Sequence, residues 1–316
     1  MLKMILLSFV LPVFTGAGVL AFGWLCPPLR KVRWIASCAF GVALACGFIL
    51  AYFGEMGYVV PSVPPVRSEG WLIVLGLFCL PLAVFLAFTE DKEHPWVEMT
   101  GLVMGFAVAL LPAIFAAEKS FFGGTAKPLF PDMGALAHGA LALEIALGMI
   151  LMIRLATTRG GPTIPCALAF AFLGGAALSM ASGWISLTIL FGVLSAISGT
   201  AGLFSKFSGM PLIGRGGASV AVILLILLST ACWYKTTAPD DLHWWYWILV
   251  ALSPFLLVPL ENRLFAKMPD AAAFWIRMVV VALPVIYVII RVLPMITGDG
   301  GSDSTDEMDD MMRMYQ

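Results

Sequence analysis

Apolar residues gather into ten blocks along the chain, at approximately 4–26, 35–53, 71–89, 97–117, 134–156, 164–181, 184–204, 217–234, 244–260 and 271–293. Most run to roughly 17–24 residues, the length that crosses about 30 Å of hydrocarbon at 1.5 Å per residue. Each block therefore predicts a membrane-spanning helix. Only Ser182 and Gly183 separate the sixth and seventh blocks. That apolar stretch is too long for a single crossing, so a tight helical hairpin is expected there. No repeat of 20–50 residues is visible. The pattern predicts an all-α fold, a polytopic transmembrane helical bundle of about ten spans in one domain (1–296), followed by a flexible acidic, Met-rich tail (297–316).

Composition sharpens the class. The 316 residues are 61% hydrophobic and 12% charged, whereas a soluble domain runs near 45–50% apolar and about 25% charged. A soluble enzyme, a disordered chain and a nucleic-acid-binding domain are all disfavoured. The net charge of −1 hides an asymmetry. The tail holds Asp299, Asp303, Asp306, Glu307, Asp309 and Asp310 against one base, Arg313, and leaves the body mildly basic. The six cysteines lie in or beside apolar blocks without a C-x-x-C, as packing residues do. Residues 1–26 resemble a secretory signal in outline. They end in Trp24-Leu25-Cys26-Pro27-Pro28 and a basic cluster instead of a small-residue cleavage site, which predicts an uncleaved span.

Lys and Arg set the expected orientation in the cell (inner, cytoplasmic) membrane. With the N-terminus outside, the cytoplasmic loops collect Arg30, Lys31, Arg33, Lys92, Arg154, Arg159, Lys206, Arg215, Arg263 and Lys267. The opposite side collects Lys3, Arg67, Lys119, Lys127, Lys235, Arg291 and Arg313, spread over longer segments. N-out and C-out is the preferred arrangement.

Glu144 is the residue most suggestive of chemistry, because it sits near the middle of the fifth block. A carboxylate at the bilayer centre costs on the order of 2.5–3.5 kcal/mol on insertion scales. Ala137, Ala140 and Gly148 share its stripe, while Ala135, Gly139, Ala142 and Ala146 line the opposite face. Small residues on both sides imply helices packed against both, so Glu144 is expected to face protein or a cavity. It is either a proton or cation site or a packed, hydrogen-bonded carboxyl. Arg277, the other charge well inside a block, is a candidate partner for it. Its position beside Trp275 also lets it snorkel to the interface. His138 is on the same helix as Glu144 but on a different face. Thr188, Gly192, Ser195, Gly199 and Gly202 fall on one stripe of the seventh block, read as close helix packing or a polar path for a solute.

Other features assign no cofactor or metal. His243-Trp244-Trp245-Tyr246-Trp247 reads as an interfacial aromatic belt, and three histidines, one inside a span, leave paired haem ligation unsupported. Met308, Met311, Met312 and Met314 are soft ligands of the kind that suits Cu(I), but acidic tails are ordinarily solvated. No H-E-x-x-H, G-x-S-G with a later intramembrane histidine, P-loop or dinucleotide fingerprint is present. The expected partners are the lipid bilayer, a small-molecule or ion substrate, and other membrane subunits, with no nucleic acid. The sequence thus points to a small-solute or ion-coupled secondary transporter (permease). The alternative is a non-catalytic scaffold or subunit of a larger membrane complex, and a membrane-embedded enzyme stands behind both.

Overall fold

The computed structural model describes residues 5–30, 32–55, 70–90, 133–208, 213–235, 242–261 and 270–297, with isolated positions between them. Among the described residues the fold is all-α, with nine helices matching nine of the ten blocks. They are α1 (Leu6–Leu25), α2 (Arg33–Glu55), α3 (Gly70–Phe88), α4 (Ala135–Thr158), α5 (Thr163–Ala181), α6 (Ile185–Ser208), α7 (Gly214–Lys235), α8 (Trp244–Leu260) and α9 (Asp270–Thr297). All but α8 are long and apolar enough to span a membrane. The block at 97–117 falls almost entirely outside the described residues, as does the Met-rich acidic tail beyond Thr297.

Backbone chemistry explains where the helices bend. Pro12 offers no N–H to the preceding turn, and Leu6–Val10 there is a π-helix. Pro254 likewise breaks α8 into Trp244–Leu252, a 3₁₀ turn Ser253–Leu256 and Leu257–Leu260. Ser253 Oγ donates to Val250 O at 2.8 Å and so covers the carbonyl that Pro254 frees. The hairpin expected at Ser182-Gly183 is present: Gly183 has φ +81°, the left-handed conformation that ends a helix in a tight turn. α5 and α6 then pack along their length.

α7 is the centre of the bundle, 89% buried and packed against α2, α3, α4 and α8. Three helices meet most closely where Gly41, Ala83 and Gly216 touch. A Cβ on Gly41 would lie 2.8 Å from Ala83 Cβ and 3.0 Å from Gly216 O. α1 and α9 are the least covered helices, with 28% and 22% of their most apolar stretch buried, as lipid-facing helices are.

The N-terminus of α7 is capped by side chains from other helices. Glu90, just past α3, accepts from Arg215 N–H at 2.8 Å, and Ser37 Oγ on α2 accepts from Gly216 N–H at 3.2 Å. The carboxylate also faces the positive end of the helix dipole. Glu90→Gln is expected to cost about 1 kcal/mol, seen as a lower melting temperature in detergent. An unchanged melting temperature would mean that the cap contributes nothing.

Candidate functional site

A cavity of about 280 Å³ opens between α4, α7 and α8, and Glu144 is the one charged side chain among the described residues that line it. α4 supplies Ala137, Ala140, Leu141 and Glu144, seven residues apart from first to last and therefore roughly 10 Å deep along the helix. Trp233 at the end of α7 and Trp244 at the start of α8 stand at the mouth, both substantially exposed. Deeper in, Ser229, Thr230 and Trp247 complete the polar part of the wall. Ser229 Oγ and Trp247 Nε1 are buried with no hydrogen-bond partner among the described residues. Both atoms are sealed from solvent, so their missing hydrogen bonds are a cost to the packed fold.

The cavity has a floor. One turn below Glu144, a Cβ on Gly148 would lie 2.9 Å from Val222, 3.2 Å from Ile226 and 3.2 Å from Phe255, an apolar contact among α4, α7 and the broken segment of α8. Further along, the same two helices end in an ionic cluster. Arg159, following α4, pairs with Glu261, following α8. Glu261 Oε1 also lies 3.2 Å from Arg277 Nε on α9. Arg277 is almost wholly buried, and its Nη2 has no hydrogen-bond partner among the described residues. Glu144 and Arg159 are fifteen residues apart, so roughly 22 Å of helix separates the cavity from this cluster.

The candidate residues from the sequence therefore part company. Glu144 lines the cavity, with Ala142 and Ala146 fully buried on the other side of α4. On its own side only Gly148 makes a close contact, since Ala137 and Ala140 border open space. Leu143 and Leu147 beside it are half exposed, which puts the cavity at the flank of the bundle. Arg277 neither pairs with Glu144 nor snorkels outward; its ion-pair partner among the described residues is Glu261. His138 is buried, with Nδ1 3.2 Å from Gly134 O. Thr188 donates within its own helix to Trp184 O at 3.0 Å, and Ser195 donates across the hairpin to Ala169 O at 2.8 Å. Neither hydroxyl lines the cavity. The α6 stripe is a packing surface only in places: Gly202 abuts Cys166, Gly192 approaches Phe9, and Gly199 has nothing within 4 Å.

Two parts of the site escape a linear reading. Trp244 and Trp247 sit in the segment read as an aromatic belt, and their i, i+3 spacing, which puts both on one helix face, was the available signal. Glu261 and Arg159 are 102 positions apart, and nothing in the spacing announces their pairing. Comparison of the chain with protein-family models, curated proteins and solved structures yields no match.

Proposed function

We propose that the protein is a secondary transporter of small solutes in the cytoplasmic membrane, with Glu144 as the group that exchanges a proton or cation during the cycle. The observation that carries this reading is the cavity that descends from one end of α4, α7 and α8 to a single mid-helix carboxylate and stops there on an apolar floor. A scaffold has no use for a carboxylate placed at that depth, where it costs several kcal/mol without a partner. A transporter site belongs near the midplane, between helices that include a discontinuous one, and α8 is broken at the level of the floor. In the N-out, C-out orientation, the mouth at Trp233 and Trp244 faces outward and the Arg159–Glu261–Arg277 cluster lies at the cytoplasmic end.

The test is reconstitution into liposomes loaded with a pH dye, followed by addition of amines, sodium, sugars and carboxylates in turn. Wild type is expected to show solute-dependent proton movement. Glu144→Gln, which keeps size and hydrogen bonding but cannot ionise, should lose it while folding normally. Equal flux from both proteins rejects Glu144 as the coupling group. Silence from both, across the whole panel, rejects transport in favour of the scaffold or subunit reading.

A further inference from the structure

We infer that the Glu144 cavity takes a small organic cation, a compact amine or quaternary ammonium with an apolar body; this rests on the transporter reading above and names its substrate class. The volume sets the size. About 280 Å³ is near the lower end of ligand pockets. Peptides and nucleotides are too large.

The wall sets the charge. Among the described residues Glu144 carries the only formal charge on it, and no lysine, arginine or histidine lines the space to receive an anion. Glu144 is itself exposed at the flank of the bundle, in a wall of largely apolar side chains, so within the bilayer a neutral guest would leave its charge without a partner. A bare metal ion fits no better. Ca²⁺ or Mg²⁺ needs about six or more oxygens, whereas this wall offers one carboxylate and the hydroxyls of Ser229 and Thr230. Thr230 Oγ1 already donates to Ile226 O at 2.9 Å. Three indoles, from Trp233, Trp244 and Trp247, line the space instead, and indole rings attract an alkylammonium. Ile226, Ile248 and Leu141 give its apolar part a surface to cover. The half-exposed flank at Leu143 and Leu147 and the mouth tryptophans also suit a cation that first partitions into the membrane interface.

Proton and cation then compete for one carboxylate. Among the described residues no other titratable group lines the space around it: α7 contributes Ile226, Ser229, Thr230 and Trp233, and α8 contributes Trp244, Trp247, Ile248 and Ala251. Binding of the cation is expected to strengthen as pH rises and the carboxyl ionises, with a proton released where the free carboxyl is still protonated.

The test is calorimetric titration of the full-length protein in detergent with benzyltrimethylammonium, in two buffers of different ionisation enthalpy to count protons. Benzyl alcohol, benzoate and sodium are the comparison probes. Saturable binding of benzyltrimethylammonium is expected, weakened about tenfold or more by Glu144→Gln and several-fold by Trp244→Leu. Trp244 is chosen because it is 58% exposed, so its loss leaves the core intact. Unchanged melting temperatures confirm that both variants fold. No saturable binding of the cation, equal binding of benzyl alcohol or benzoate, or undiminished binding by Glu144→Gln overturns the proposal. The two readings fail separately. Flux of a sugar or carboxylate through Glu144 keeps transport and overturns the cation class, whereas Glu144-dependent cation binding without proton flux keeps the site and overturns transport.

Discussion

Glu261→Gln should be among the most damaging single substitutions, lowering stability by about 3 kcal/mol, because it strands a buried positive charge. The Arg277 side chain is 4% exposed, and Glu261, 3.2 Å from its Nε, is its only ion-pair partner among the described residues. Removing one member of a buried pair costs far more than the pair is worth, since the other charge keeps its desolvation penalty and loses its attraction. Arg159 is better placed to recover, at 31% exposed, because water can replace the carboxylate. Thermal unfolding in detergent measures the loss. The decisive comparison is Arg277→Leu in the Glu261→Gln background, which removes the stranded charge and should regain much of the stability. If the double variant is no more stable than the single one, the damage comes from somewhere other than the charge.

Gly216→Leu is the second expected severe change, at about 3 kcal/mol or more. Any Cβ at Gly216 runs into Ala83 O, a backbone atom that cannot rotate away, with Ala87 Cβ 3.3 Å off. Relief would require α3 and α7 to separate where α2 also meets them through Gly41. At Gly199 on the α6 stripe a Cβ meets nothing within 4 Å, so Gly199→Leu starts into open space and should be nearly neutral. Yields of folded, monodisperse protein and melting temperatures of the two variants make the comparison. Equal damage at both sites would mean that close approach at Gly216 is not the cause, since Leu is the better helix former at either position.

That contrast shows how far periodicity reaches. The 4, 3, 4, 3 spacing of Thr188, Gly192, Ser195, Gly199 and Gly202 does define one face of α6, but spacing along a helix is silent about what stands opposite. Ile197, off that stripe, is fully buried, and its Cδ1 fills the space that a Cβ on Gly16 or Gly47 would need. The helices themselves were legible because span length is fixed by the bilayer and needs no partner. Glu144 was legible for a related reason: a carboxylate in an apolar block is costly wherever it points. Its surroundings were not. The tryptophans of α7 and α8 join it only through tertiary packing, and Glu261 lies one residue past the 244–260 block with nothing in the spacing to single it out. Its two arginines reach it from separate helices.

The two-residue turn after α5 bears on how the chain enters the bilayer during synthesis. Ser182 and Gly183 cannot wait at the surface as an independent loop while one helix inserts and the other follows, because the turn closes within hydrogen bonds from Gly183 N–H to Met180 O and from Trp184 N–H to Ser179 O. With so short a connection, α5 and α6 are expected to insert as one unit. A pair that goes in and comes back adds no net crossing, so excising both helices together would leave α7, α8 and α9 facing as before, whereas excising either alone would invert every segment that follows.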